Sequence, residues 1–207
     1  MKKKTLWYVS DPMCSWCWGF APVIERIRQE YCDRLDPELL LGGLRPGTRT
    51  PISPAQRQEI LHHWENVHRL TGQPFQFVGA LPDGFVYDTE PASRGVASAL
   101  LLAPDAGFPF LKAVQYAFYA EQQDVTKAVV LAQLAGKIGL DTQQFTTAFE
   151  SDAAKKLTLD HFNRVRGLGV SGFPAVVLED ETGYSLLTSG YRPFQQLSPE
   201  LEKWLKL

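Results

Sequence analysis

Cys14-Ser15-Trp16-Cys17 places two cysteines three positions apart. On a helix that spacing is about one turn, which brings two sulfurs close enough to bridge without large strain. The pair follows a strand-like run and opens a helical one, the setting of a dithiol redox motif. Cys14 then stands at a helix N-terminus, where unpaired N–H groups and the positive end of the macrodipole favour an anion. Thiols so placed titrate at roughly 3.5–7.5 instead of about 8.5. Cys14 is therefore expected to attack as a thiolate, and Cys17, one turn further in, to resolve the mixed disulfide. Trp16 offers apolar surface to a peptide or small thiol, and Ser15 a hydroxyl near the thiolate. The same spacing also makes half of a zinc site. No second such pair exists, and none of His62, His63, His68 and His161 follows the cysteines at zinc-finger spacing. A redox pair is expected, and no metal.

The chain around this pair has 207 residues, 44% of them apolar, and a formal net charge of -2. A core of ordinary size is within reach without disulfide staples. The near-neutral balance gives no electrostatic footprint for nucleic acid, and no apolar run approaches a membrane span. The basic start, Met1 to Lys4, is followed by a stretch too short and too soon polar for a secretory signal. A cytoplasmic location is expected. The third cysteine, Cys32, makes the count odd, which argues against a structural disulfide framework; it reads as a passive thiol near a helix end.

Several elements must hold the pair. Thr5 to Ser10 is β-branched and aromatic and reads as a buried strand ending at Asp11-Pro12. The helix that follows carries Cys17, Ala21, Ile24 and Tyr31 at helical spacing, with Pro22 inside it as an expected kink. Leu39 to Leu41 reads as a second strand. Ser53-Pro54 looks like an N-cap followed by a first-turn proline, opening a helix through Ile60, Trp64, Val67 and Thr71. Gly72 to Pro91 is a loop. Helices are expected over Ala92–Ala103 and Phe110–Gln122, then one capped by Asp124 and ended by Gly139. A short one capped by Asp141 or Thr142 and one over Asp152–Arg166 complete the block. Ala175–Leu178 and Tyr184–Thr188 form a hairpin around Asp180–Gly183. Ser198–Leu207 is a closing helix. Trp64, Tyr116, Phe118 and Tyr119 read as core, with part of that face available to a substrate groove. His62 and His63 read as a solvated face. The order gives an α/β fold: a mixed central sheet flanked by helices, with residues 1–50 and 168–207 as one domain and residues 51–167 as a large all-helical insertion.

The segment Tyr8-Val9-Ser10-Asp11-Pro12-Met13-Cys14-Ser15-Trp16-Cys17 resembles the active-site region of the DsbA family of the thioredoxin superfamily. It is most similar to the family's cytoplasmic and FrnE-like members, which are related to the kappa-class glutathione transferases. Pro22 falls eight residues after Cys14, where thioredoxins place a helix-kinking proline. Gly169-Val170-Ser171-Gly172-Phe173-Pro174 resembles the family's loop before the third strand. That resemblance implies a thioredoxin fold, a cis Phe173–Pro174 bond with Pro174 packed against the sulfurs, and a Phe173 backbone free to pair with an extended substrate. Asp88 to Arg94 is similar to the segment opening the insertion's helices in those relatives. Leu39–Leu41 lacks the buried acid that relays protons in thioredoxins. Asp11 could take that role, or it could only cap the turn.

The function these readings imply is thiol–disulfide exchange: oxidation, reduction or isomerisation of disulfides. Its partners would be protein or peptide thiols and disulfides, or low-molecular-weight thiols. No cofactor is expected beyond the cysteine pair, with glutathione as a conceivable co-substrate, and the chain would act as a monomer or homodimer. The alternative is a glutathione-dependent isomerase or transferase of kappa-class type. Those relatives usually carry serine where Cys14 stands, so the paired cysteines weigh against it.

Overall fold

The computed structural model describes residues 4–206; the basic Met1–Lys3 and the terminal Leu207 lie outside them. Strand β1 (Lys4–Ser10) alternates its side chains between two covered faces. Leu6 and Tyr8 join one large apolar cluster, while Trp7 and Val9 meet Leu40, Val165 and Ala175 on the other face. Coverage of both faces fits a central position. β1 pairs in parallel with β2 (Leu35–Leu41), Tyr8 opposite Leu39. It pairs antiparallel with β3 (Ala175–Asp180), Tyr8 opposite Val176. β3 continues antiparallel into β4 (Gly183–Ser189). The sheet order is β2-β1-β3-β4.

The helices are α1 (Ser15–Glu30), α2 (Pro54–Thr71), α3 (Glu90–Leu102), α4 (Gly107–Tyr119), α5 (Ala128–Lys137), α6 (Thr142–Glu150), α7 (Asp152–Gly167) and α8 (Phe194–Leu205). A short 3₁₀ turn, Pro104–Ala106, precedes α4. α2 to α7 fall between β2 and β3, and their apolar faces share one cluster with the sheet: Phe110 and Phe145 belong to it together with Leu6 and Tyr8. The mixed sheet and its flanking helices are the expected fold.

Differences of detail have local causes. β2 begins four residues earlier than Leu39, because an edge strand tolerates Pro37 and the exposed Asp36 that disguise it. Pro22 stands inside α1, as expected. Pro22 cannot donate to the Trp18 carbonyl, and Gln73 Nε2 donates to it instead at 2.8 Å, so the acceptor is not orphaned. Asp124 accepts from Thr126 N at 3.1 Å in a turn, and α5 starts only after Lys127. α8 starts four residues before Ser198. At α2 the Ser53 cap is a full capping box: Ser53 Oγ accepts from Gln56 N at 3.2 Å and Gln56 Oε1 from Ser53 N at 2.9 Å.

α7 is tied to the sheet edge through His161, whose Nδ1 accepts from Leu41 N at 3.3 Å. Burial, and then the nearby Arg164, lower its pKa from 6.5 to about 4. Between those values the unfolded chain binds a proton that the folded chain refuses, so stability falls as pH drops through that window. The contribution is on the order of 2–3 kcal/mol between pH 7 and 4. His161→Gln keeps an acceptor without titrating. Urea unfolding at pH 7, 5.5 and 4.5 should show the variant losing less stability towards acid than the parent; parallel profiles would contradict this. Asp11, described below, has the opposite sign and cancels in that comparison.

Candidate active site

The β1–α1 connection puts Cys14 at the N-cap of α1, in extended backbone conformation. Its carbonyl accepts the first helical bond, from Trp18 N at 3.1 Å. Cys14 is 6% exposed and Cys17 is fully buried. Both are free thiols, near one another but not bonded. Burial, then the hydrogen bond and charge of Cys14, push the Cys17 thiol well above its ordinary range. The Asp11 backbone and the Ser10 side chain pull it the other way. Cys17 is therefore a protonated thiol at neutral pH while Cys14 is reduced.

The loop before β3 closes over the pair. Phe173–Pro174 is a cis peptide bond, and the Cys14 thiol donates to the Phe173 carbonyl at 3.7 Å. Pro174 is buried and its carbonyl accepts from Gly190 N at 2.7 Å, anchoring the loop to the end of β4. The Phe173 ring lies on Gly42, where a Cβ would sit 2.4 Å from it. Gly42→Ala should push the ring away and move the carbonyl that touches Cys14. We expect a stability loss of about 1–3 kcal/mol and a roughly tenfold slower exchange reaction. An alanine variant with unchanged melting and rate would show that this contact positions nothing.

Asp11 is fully buried. Its Oδ1 accepts from Met13 N at 2.9 Å and its Oδ2 from Leu44 N at 2.7 Å, so it caps the turn and fastens it to the loop after β2. Burial raises the carboxyl to about 6, against the lowering effect of those two N–H groups.

A cleft of about 220 Å³ opens in front of Cys14. Ser15, Trp16 and Phe173 form one side of it, and Trp16 packs near Tyr191 at 6.1 Å between ring centres. The other side brings Arg45 and Tyr87 from loops, which the sequence does not single out, and Ile60 and His63 from α2, where His63 reads from the sequence as a solvated face. Trp64, on the face read as core with part of it available to a substrate groove, is 1% exposed and reaches the cleft. Tyr87 Oη donates to the Met13 carbonyl at 2.6 Å, directly before the attacking cysteine. The Asp88–Arg94 segment holds this wall: Thr89 Oγ1 accepts from Arg45 N at 3.0 Å and Asp88 Oδ1 from Gly47 N at 2.8 Å. That segment was the one signal in the sequence near Tyr87. Among the described residues, no helix is long and apolar enough to cross a membrane.

Residues 5–202 match the family described as DSBA-like thioredoxin domain. A solved structure from Nitrosomonas europaea, described as a candidate protein disulfide isomerase, is 53% identical with a TM-score of 0.94, covering 99% of this chain and 98% of that one. The cytosolic disulfide reductase DsbM from Pseudomonas aeruginosa is 29% identical with a TM-score of 0.79, covering 98% of each chain. DsbM has also been solved with GSH. Among curated proteins, the ClpXP adapter protein SpxH of Halalkalibacterium halodurans is 26% identical over 94% of this chain, which spans 65% of that relative's length.

Proposed function

The chain belongs to the DSBA-like thioredoxin domain family, and from that membership we propose that it exchanges thiols and disulfides through Cys14 and Cys17. The observation that carries this reading is the asymmetry of the pair. Cys14 borders the cleft at the N-terminus of α1 and touches the Phe173 carbonyl, while Cys17 is sealed one turn behind it. An attacking and a resolving thiol need that division of labour.

In the reducing direction, the Cys14 thiolate attacks one sulfur of a substrate disulfide. A Cys14–substrate disulfide forms, and the other substrate sulfur leaves as a thiolate that takes a proton from water. Cys17 then loses its proton and attacks Cys14 Sγ. The second substrate thiolate leaves, and Cys14 and Cys17 remain bridged, with two electrons passed to the substrate. Asp11, whose carboxyl stands at about 6, is proposed as the store for the Cys17 proton. Two low-molecular-weight thiols, oxidised to their disulfide, would restore the dithiol. Glutathione is the proposed one: DsbM was solved with GSH, and Arg45 offers the cleft a cation for a carboxylate. No other cofactor enters. Similarity to cytosolic DsbM supports a cytoplasmic setting, and Phe173 and Pro174 are proposed to align an extended thiol or disulfide partner.

Cys17→Ser tests the order of events. Without a resolving thiol, the variant should accumulate a mixed disulfide at Cys14 when given oxidised glutathione. Intact mass spectrometry would show a glutathione adduct released by dithiothreitol, and peptide mapping without reduction would place it on Cys14. An adduct at Cys32 alone, or none, would overturn the assignment of Cys14 as attacking residue.

A further inference from the structure

Ser10 ends β1 and is fully buried, yet no hydrogen bond of ordinary geometry satisfies its Oγ. A buried hydroxyl left unpaired is destabilising and calls for an explanation. Strand alternation sends this side chain to the face that carries Leu6 and Tyr8, and Trp18 and Phe20 of α1 belong to the same cluster. On that face Tyr8 Oη donates to the Cys17 carbonyl at 3.4 Å. The turn between β1 and α1 is closed by Cys14 N, which donates to the Asp11 carbonyl at 3.1 Å. Cys17 is thus folded back over the end of the strand, where the Ser10 side chain and the Asp11 backbone both act on its thiol.

In the dithiol the Ser10 proton has no good acceptor. A thiol sulfur accepts weakly, and Tyr8 Oη, the other group within reach, is neutral. A thiolate is a charged acceptor, and hydrogen bonds to charged groups are about twice as strong as neutral ones. Resolution of a mixed disulfide needs such a thiolate on Cys17, which is 0% exposed and has no water to share the charge. We propose that Ser10 O–H and Asp11 N–H form a cradle that takes up the negative charge on Cys17 Sγ while the disulfide is exchanged. This rests on the exchange reading above. Cys17 gives its proton to the Asp11 carboxylate, and its sulfur bonds to Cys14 Sγ. The Cys14–substrate bond breaks, and the substrate sulfur leaves with the electron pair. Neither cradle donor gives up its proton. In the reverse direction the same two donors receive the charge as Cys17 leaves. Cys17 is uncharged both as thiol and as disulfide, so the cradle changes rates in both directions and leaves the equilibrium where it was.

Ser10→Ala tests this, in a Cys32→Ala background where a glutathione adduct reports Cys14. Reduced protein is mixed with excess oxidised glutathione at pH 7, quenched with acid at intervals and alkylated. Intact mass spectrometry then separates dithiol, adduct and internal disulfide, and the decay of adduct into disulfide is the resolution step. One charge-assisted hydrogen bond changes the thiolate population about ten- to a hundredfold, and the lower basicity returns about half of that on a logarithmic scale. Ser10→Ala should therefore resolve the adduct roughly three- to tenfold more slowly. The variant only loses an unpaired hydroxyl, so its melting temperature should not fall, and its midpoint in glutathione buffers should match the parent's. Resolution at the parent's rate would overturn the proposal. So would slower resolution accompanied by a lower melting temperature or a shifted midpoint, because the hydroxyl would then be structural. A parent that forms the adduct and never the internal disulfide would overturn the exchange reading itself.

Discussion

Cys14→Ser should reduce thiol–disulfide exchange to the rate of the buffer thiol alone. A serine hydroxyl is close in size to the thiol and can donate to the Phe173 carbonyl as Cys14 does at 3.7 Å, so the fold should survive. It carries no thiolate, and the thiolate is the nucleophile in exchange. Cys17 cannot substitute: it is fully buried and held protonated by that burial. Turbidity from reductive cleavage of the insulin disulfides, followed with a limiting low-molecular-weight thiol, reads the result, and circular dichroism checks the fold. A serine variant with even a tenth of the parent's rate would show that the reaction runs elsewhere.

Trp64→Ala should be the most damaging single truncation among the cleft residues. Trp64 is 1% exposed and sits among Phe75, Phe118 and Tyr119, with ring centres at 5.5, 5.6 and 4.9 Å. Large-to-small changes of this kind cost about 3–5 kcal/mol, a large part of the roughly 5–15 kcal/mol that holds a typical domain together. For a chain of this size the melting midpoint should fall by about 10 °C. Because Trp64 also reaches the Cys14 cleft, exchange should slow at temperatures where the variant is still folded. A midpoint lowered by less than about 3 °C would mean the aromatic cluster closes over the gap, and that α2 is not locked to its neighbours through this ring.

The parts legible in the sequence were those whose signal is local. β1 announces itself by β-branched and aromatic residues, the Cys14–Cys17 turn by its spacing, and the Phe173–Pro174 loop by its resemblance to the family's own. Ser53-Pro54, and Asp141 or Thr142, mark helix starts because capping is chemistry between near neighbours, and it is Asp141 that caps, its Oδ1 accepting from Gln144 N at 2.7 Å. Parts that rest on distant contacts were hidden. The Trp18 carbonyl that Pro22 leaves orphaned is taken by Gln73, far along the chain, and nothing near Pro22 in the sequence points to it. Leu35 to Glu38 does not read as strand, because its polar residues and proline are permitted only by an edge position known from the sheet order. The far wall of the cleft was the largest omission. Arg45, His63 and Tyr87 have no common pattern in sequence: His63 arrives on α2, while Asp88 and Thr89 next to Tyr87 bind the 45–47 loop. The sequence places Asp11 between two roles. Its hydrogen bonds show the cap, and its raised carboxyl is what the proposed proton store would require.

The central claim is that Cys14 and Cys17 form one two-electron couple. The most direct measurement equilibrates the purified protein in glutathione buffers of graded ratio, quenches with acid, alkylates, and reads both cysteines by mass spectrometry. The account predicts that the two thiols disappear together as a single intramolecular disulfide, with a midpoint that distinguishes an oxidant from a reductant. If Cys14 instead takes up glutathione while Cys17 stays free, or if neither titrates, the paired-thiol mechanism is contradicted and the site is one for glutathione chemistry or for binding alone.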